Sequence, residues 1–292
     1  MSPSASQQQR EEALKDLRIE VVSSPTAFYG PADNGINSIQ SVIGNAFGHQ
    51  IRDALFRGMN PGWETPEGAK VSAERTAEKW KTISKDKDGN PNTVFLIATV
   101  PGHNLSPEET AGAERKIVGV ARWVQVSDVP GYGEPVRPDL RDADGNGYNY
   151  VAELYPDSER EQRYIAQAFA SLVRRDREIC REKAAAFASG TLQEGEKPAN
   201  FHLALCVVEP DWQRRGISQK LVSWGIEEAR RRGGLECTTE ASSMGRGSYM
   251  KLGFKPEHDP PEDIVFEVDE EFKNEGRDPL PPNLFLRTGL LR

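Results

Sequence analysis

The chain has 292 residues and a net charge of −8, with 37% hydrophobic and 28% charged residues. This length is ample for a sizeable core, and the acidic balance argues against a general nucleic-acid binder. Three cysteines, Cys180, Cys206 and Cys237, lie far apart without a CxxC pair, which suits a reducing compartment and offers no zinc site. No signal-peptide segment opens the chain and no apolar run approaches ~18 residues, so we expect a soluble, cytoplasmic protein.

The first half of the chain alternates between short apolar segments and polar stretches rich in glycine or proline. Residues 1–16 are rich in Ser, Gln and charge, and we expect a disordered tail there. Ser38 is the expected N-cap of a helix, and Trp63, in a predicted loop, either contacts substrate or only packs. The spacing of apolar residues predicts, in order, a strand over 17–22, a helix over 38–56, a loop over 58–70, a helix over 72–84, and strands over 93–100 and 116–126.

A long segment, residues 127–200, separates these strands from the next apolar run. Its first part is rich in Gly, Pro and Asp and is predicted to be irregular. Its second part, 158–189, has apolar residues at helical spacing and predicts one long helix or a broken pair. The chain beyond the next strand and helix is predicted to form a strand over 235–240, a helix over 242–252, a final strand over 264–268 and a C-terminal tail over 269–292.

Residues 201–218 carry the strongest functional pattern. Phe201 to Val208 is an apolar run typical of a buried strand, and Pro210 ends it because proline has no N–H to donate to a sheet. A basic turn containing Gly216 follows and opens a helix predicted to run to about residue 232. Free backbone N–H groups and the helix dipole both favour negative charge at such a helix start. The segment therefore predicts an anion site suited to a pyrophosphate.

This turn resembles the acetyl-CoA signature of the GNAT acetyltransferase superfamily, Gln/Arg-x-x-Gly-x-Gly/Ala after a strand. Gln213 and Gly216 occupy its fixed places, and Ser218 stands where the family usually has Gly or Ala. A second family marker, Tyr-x-x-x-Gly-Phe, is matched by the segment from Tyr249 to Phe254. The resemblance covers 201–268 well, 17–126 loosely, and the insertion at 127–200 not at all.

The resemblance implies an α/β fold, with a mixed, largely antiparallel sheet and helices on both faces. We expect one such domain over 17–268, enlarged by the insertion. In this family the helix predicted over 38–56 and the loop after it border the acceptor pocket.

The resemblance also implies acetyl-CoA as co-substrate, with no metal required. Backbone N–H groups of the turn would hold its pyrophosphate, and the pantetheine arm would lie where the signature strand parts from the next strand, after 206–208. Ser242 stands where the family often has an asparagine that contacts CoA. The cofactor-binding residues implied in this way are Cys206, Val207, Val208, Gln213, Arg214, Arg215, Gly216, Ile217, Ser218 and Ser242.

Proton transfer in such a reaction needs an acid and a base. Tyr249 matches the tyrosine that protonates the departing thiolate in many family members, and a phenol of pKa near 10 suits a thiolate near 8.5. The alternative is a tyrosine that only packs against CoA. Glu209 and His202, both on or beside the signature strand, are equal candidates for the base. A water chain, or an amine that arrives neutral, is the remaining alternative.

A second motif, Asp142–Glu153, matches the calcium-binding EF-hand loop at every ligand position. Its flanks do not fit, because an incoming helix would run through Gly133, Pro135 and Pro138, and Pro156 follows almost at once. We therefore expect an acidic turn-rich loop, with a lone calcium site as the alternative.

The predicted activity is acetyl transfer from acetyl-CoA to a primary amine of a small molecule or peptide through a direct ternary complex. The acidic balance favours a cationic amine. One alternative is a different acyl-CoA or a hydroxyl acceptor, and another is a non-catalytic CoA-binding or sensor module. Neither a nucleic-acid nor a membrane partner is expected, and the oligomeric state stays open.

Overall fold

The computed structural model describes residues 5–31, 35–103, 105–136, 150–273, 277 and 279–291. Within these ranges the strands are β1 (Arg18–Val21), β2 (Thr93–Pro101), β3 (Arg115–Val126), β4 (Asn200–Val208), β5 (Glu236–Ala241), β6 (Lys255–Pro256) and β7 (Leu284–Arg287). The helices are α1 (Ala5–Ala13), α2 (Thr26–Tyr29), α3 (Ile39–Ile43), α4 (Ala54–Met59), α5 (Pro66–Lys81), α6 (Pro107–Thr110), α7 (Tyr150–Leu154), α8 (Glu159–Leu172), α9 (Arg174–Ala188), α10 (Ile217–Arg231), α11 (Arg246–Met250) and α12 (Glu270–Lys273). A π-helix, Gly44–Ile51, continues α3. No helix in these ranges is long and apolar enough to cross a membrane.

The strands of the described ranges form one seven-stranded sheet in the order β1-β2-β3-β4-β5-β7-β6. β4 and β5 run parallel, and the other neighbouring pairs are antiparallel. The parallel pair is joined through α10, since parallel neighbours need a crossover connection. A mixed, largely antiparallel sheet with helices on both faces is the predicted α/β fold class, and that prediction is confirmed.

The helix α10 packs on one face of the sheet and builds the larger core. Its Leu221 and Ile226 lie in one apolar cluster with Leu96 and Trp123 of the strands. Gly225 allows the helix to approach closely, because a Cβ there would lie 2.0 Å from the indole of Trp123. This face is therefore filled by direct contact between helix and sheet.

The helices α2, α3 and α5 cover the opposite face with a smaller core. Phe28, Val42 and Ala77 pack there against Phe95 and Val120. The rings of Phe28 and Phe95 meet edge to face at a centroid distance of 5.3 Å, an arrangement that aromatic pairs favour. A cavity remains beside this core.

The predicted helix over 38–56 begins as expected, because Ser38 forms a capping box with Ser41. It is then interrupted: the π-helix ends at Arg52, which takes a left-handed conformation with φ of 57°, and α4 follows. The next helix begins at Pro66 instead of 72. Thr65 caps it and proline fits its first turn, so the predicted loop over 58–70 is too long.

The helical part of the insertion forms a broken pair, one of the two predicted alternatives, with α8 and α9 meeting at Val173. The insertion packs beside α4. A Cβ on Gly58 would lie 2.2 Å from Cδ1 of Ile165, and the hydroxyl of Tyr155 donates to the carbonyl of Gly58 at 2.8 Å.

Both chain ends differ from the sequence-based expectation. Residues 5–13 form α1 in place of a disordered tail, and Ala13 is buried in the larger core. The predicted strand over 264–268 is wrong, because no strand forms there and the strand is β7. β7 pairs with both β5 and β6, so part of the predicted tail over 269–292 belongs to the sheet.

Candidate active site

The turn between β4 and α10 presents free backbone donors. Arg214 and Gly216 adopt left-handed conformations, with φ of 62° and 80°, and Gly216 caps α10 without a side chain. Among the described residues, no hydrogen bond uses the backbone N–H groups of residues 214–219. The first N–H groups of a helix lack partners within it and form the positive end of its dipole. The turn thus has the donors that an anion requires, and CoA binding there stays a prediction.

Two long side chains flank this turn. Arg215 is half-buried, and its Nε has no hydrogen-bond partner in the described part of the chain. A guanidinium with an unused N–H beside free backbone donors suits a phosphate. Gln213 is engaged instead, because its Nε2 donates to the carbonyl of Val208 at 3.0 Å and to Oε1 of Gln50 at 2.7 Å. Gln213 therefore ties the turn to the π-helix.

The apolar side chains predicted near CoA are part of the two cores. Val208 and Ile217 lie in the larger core, and Val207 lies in the smaller one. Ser218 is partly exposed at the start of α10. These positions therefore offer a ligand mainly their backbone groups, as the sequence-based assignment requires.

β4 and β5 are paired only from Asn200 to His202, and β5 then pairs with β7. In the described ranges, residues 204–208 have no strand partner on the β5 side. The strands were predicted to part after 206–208. They part earlier, because β4 has a bulge at Ala204 where it pairs with β3. A bulge bends a strand and increases its twist. The gap leaves backbone groups of β4 available to an extended ligand.

Tyr249 lies beside Cys206, on the part of β4 that has no partner on the β5 side. The tyrosine is 6% exposed, and burial, followed by Cys206, raises its pKa well above 10. The phenol therefore keeps its proton at neutral pH, as a proton donor must. Burial raises the pKa of Cys206 to about 12, so this thiol stays protonated. The hydroxyl of Ser242 accepts from the N–H of Gly245 at 3.3 Å, one turn before Tyr249.

Glu209 follows β4 directly and borders the cavity beside the smaller core. This cavity has a volume of about 810 Å³ and lies between the π-helix and the starts of α5 and β3. Nδ2 of Asn45 donates to Oε1 of Glu209 at 2.7 Å. Burial raises the pKa of Glu209, opposed by Asn45 and by the charge of Lys116. A carboxylate with a raised pKa at a cavity wall is suited to accept a proton.

Trp63 lines the same cavity and also packs. Its ring lies against the backbone of Gly48, where a Cβ would be 2.2 Å away. The rings of His49 and Phe56 lie at centroid distances of 4.8 Å and 5.7 Å. The two roles considered for this tryptophan are therefore compatible with each other.

His202 does not line this cavity but lies in a buried polar cluster. Its Nε2 is 3.2 Å from Oε2 of Glu240, and its Nδ1 is 3.5 Å from Oδ2 of Asp176 on α9. The hydroxyl of Thr238 donates to Asp176 at 2.7 Å. Burial lowers the pKa of His202, but the two carboxylates outweigh burial and raise it to about 9. The ring is therefore an imidazolium at neutral pH, which has no free lone pair for a base.

The sequence did not single out Asn45, Gln40, Asp176 or Glu240. Gln40 and Asn45 stand among the apolar residues of one predicted helix, and polar residues within such a stripe were the available signal. Asp176 likewise stands in the apolar stripe of α9, where a buried carboxylate needs a partner.

The calcium-loop motif falls mostly on residues 142–149, which lie outside the described residues, and its last positions form part of α7. Across the described ranges, no group of three or more His, Cys, Asp or Glu side chains is placed to hold a metal ion.

Comparison with known proteins relates part of the chain to a known family. Residues 137–254 match the model of the Acetyltransferase (GNAT) family, and no curated protein matches. Similar solved structures include arylalkylamine N-acetyltransferase 2 from Aedes aegypti, at 15% identity and a TM-score of 0.49 over 95% of this chain and 100% of that one. Another is the polyamine N-acetyltransferase of Drosophila melanogaster, at 12% identity and a TM-score of 0.48 over 93% and 97%. At such values the likeness decides neither activity nor acceptor.

The family match spans the part of the chain that carries both sequence markers. It includes β4, the turn after it, α10 and the segment from Tyr249 to Phe254. The sheet order and the parting of β4 from β5 agree with that assignment. Residues 137–254 are therefore similar to the acetyltransferases of the GNAT family.

Proposed function

We propose that this protein transfers an acetyl group from acetyl-CoA to a primary amine within a direct ternary complex. The observation that carries this proposal is the end of β4, where two features meet. Residues 214–219, with their free N–H groups, follow Glu209 closely in the chain. Glu209 itself borders the cavity. A donor site for one substrate and a cavity for a second are thus built on the same few residues.

Binding of acetyl-CoA would use the turn and the gap between the strands. The pyrophosphate would accept hydrogen bonds from the free N–H groups of the turn, with Arg215 adding charge. The pantetheine amides would pair with backbone groups of residues 204–208 on the side of β4 where β5 is absent. A backbone N–H near Val208 would polarise the thioester carbonyl as negative charge develops on its oxygen.

The acetyl transfer itself would need two proton movements. The amine nitrogen attacks the thioester carbon, so a C–N bond forms and the C–S bond breaks. Glu209 would accept the proton that the amine loses, because it borders the cavity and burial raises its pKa. Tyr249 would donate its proton to the departing thiolate, since the phenol is protonated at neutral pH. His202 is already protonated, so we assign it a structural role in place of the predicted base role.

The first test is thermal unfolding with and without acetyl-CoA. Ligand at about 100 times its Kd adds roughly 2.7 kcal/mol to stability, which is a rise of about 5–10 °C in Tm for a chain of this size. Arg215→Glu should abolish most of this rise by placing a negative charge at the turn. Arg230→Glu makes the same charge change on the exposed far end of α10 and should keep the rise.

Thiol release from acetyl-CoA with a panel of primary amines then tests catalysis. A thermal shift combined with amine-dependent thiol release supports the proposal. A thermal shift without release from any amine would favour the CoA-binding module over the enzyme. The absence of a shift at millimolar acetyl-CoA would contradict the proposal altogether.

A further inference from the structure

Gln40 is a buried residue whose side-chain amide has no hydrogen-bond partner among the described residues. It lies on the first turn of α3, is 8% exposed and lines the cavity that Glu209 borders. Within the described residues its side-chain amide forms no hydrogen bond, whereas Ser38, Ser41 and Asn45 on the same helix are all bonded. Buried side-chain amides normally have hydrogen-bond partners. The amide of Gln40 is therefore available to form a hydrogen bond with a ligand in the cavity.

The charges around the same cavity are unbalanced. Its lining includes carboxylates at Glu64, Glu67, Glu108, Glu109 and Glu209, against the two lysines Lys70 and Lys116. Both lysines are engaged: Nζ of Lys70 lies 4.0 Å from Oε1 of Glu74, and Lys116 donates to the carbonyl of Glu109 at 3.0 Å. Glu64 and Glu67 form no ion pair with any described residue. The cavity thus has more negative than positive side chains in its lining, which a cationic ligand would complement.

We propose that the acceptor is an aliphatic diamine or polyamine. One nitrogen would lie beside Glu209, and a second, cationic nitrogen would lie near the exposed carboxylates of Glu64 and Glu67. This inference rests on the proposed function and names its substrate class. The carbonyl of Gln40 would accept from an N–H of the bound chain. A cavity of about 810 Å³ is large enough for an extended chain of this kind. Complementary charge at the outer end then selects a molecule with two positive nitrogens over one with a single nitrogen.

The test compares matched pairs of acceptors with the intact protein and acetyl-CoA. Diaminobutane is compared with butylamine, and spermidine with a lysine-containing peptide and an arylalkylamine. We expect kcat/KM for the diamine to exceed that for butylamine by about tenfold or more, and the difference to shrink at high salt because exposed charges are screened. Equal values, or a preference for the peptide or the arylalkylamine, would overturn the inference while leaving acetyl transfer intact.

Two variants locate the selectivity in this cavity. Gln40→Leu should raise KM for diamine about tenfold, while kcat and the acetyl-CoA thermal shift stay unchanged. Glu64→Gln/Glu67→Gln should reduce the ratio of kcat/KM for the diamine to kcat/KM for butylamine. Glu227→Gln/Glu262→Gln removes the same charge at exposed positions outside the cavity and should change neither. A diamine preference that survives both cavity variants would overturn the assignment, and absence of thiol release from every amine would overturn the proposed function with it.

Discussion

The two faces of the sheet are built for different purposes. On the α10 face, Trp123 is fully buried and its indole lies where a Cβ on Gly225 would be. On the face covered by α3 and α5, the core is smaller, and a cavity of about 810 Å³ keeps Gln40 and Glu209 at its walls. Close packing supplies stability, whereas unfilled space lined by polar groups supplies binding. A substitution on one face should therefore affect a different property from a substitution on the other.

The largest expected effect is on the cavity face. Glu209→Gln removes the proposed base but keeps the side chain's shape and its contact with Asn45. We expect kcat to fall at least about 100-fold while the free energy of unfolding stays within about 0.5 kcal/mol of wild type. Since burial raises the pKa of Glu209, the activity of the wild type should rise with pH at a higher pH than an ordinary glutamate would give.

Steady-state kinetics from pH 5 to pH 9, with urea unfolding of the same samples, provide the measurement. Glu262→Gln is the control, because this carboxylate is exposed and does not line the cavity. An unchanged kcat in Glu209→Gln would assign the base to another group and weaken the contrast between the faces.

The next effect is on the packed face. In Gly225→Ala the new methyl would lie 2.0 Å from the Trp123 ring, so the helix or the ring must move. We expect a loss of about 2–3 kcal/mol in the free energy of unfolding, measured by urea titration, with little change in KM for either substrate. Gly247→Ala is the matched control, since nothing lies within 4 Å of its Cβ position. Equal stabilities of the two variants would show that the α10 interface is loose.

The smallest expected effect is a pH dependence of stability. It comes from His202 and involves neither the contact of Gly225 with Trp123 nor the cavity. The pKa of His202 is raised to about 9 from 6.5, so its charged form stabilises the folded state. That stabilisation is fully present below about pH 6.5 and is lost as the pH rises through about 9. The stability difference between wild type and His202→Gln should therefore shrink by on the order of 1–2 kcal/mol between pH 7 and pH 9.

Urea unfolding at several pH values measures this difference, with the exposed His258→Gln as control. Asp176 and Glu240 contact the ring, and Arg122 lies near enough to oppose its charge. A difference that grows with pH would mean that His202 is neutral in the folded protein.

The predictions from sequence agree best with the structure where a feature is formed by residues that are close together in the chain. The turn from Gln213 to Ser218 joins one strand to one helix, so the left-handed glycine and the free N–H groups follow from local sequence. The cap at Ser38 was predicted for the same reason, and the broken helical pair of the insertion was one of two predicted alternatives. The helix starting at Pro66 was also encoded locally, by Thr65 and Pro66, although we placed its start later.

Other features depended on contacts between distant segments. β7 was not predicted because its place between β5 and β6 is set by edge pairing, which a short apolar run near the C-terminus does not specify. The charged state of His202 depends on Asp176 from α9 and Glu240 from β5. No spacing in the sequence indicates that these three groups meet.

The sequence therefore determined the strand-turn-helix geometry, the resemblance to the GNAT family and the candidate acid and base, because hydrogen bonding and helix polarity act over a few residues. Only the tertiary structure shows how differently Glu209 and His202, the two candidate bases, are placed. It placed one at the wall of a cavity and surrounded the other with carboxylates. It also left the amide of Gln40 without a hydrogen-bond partner in the described part of the chain, since burial and hydrogen bonding depend on how whole elements pack. The substrate class we propose follows from that packing and from no motif in the chain.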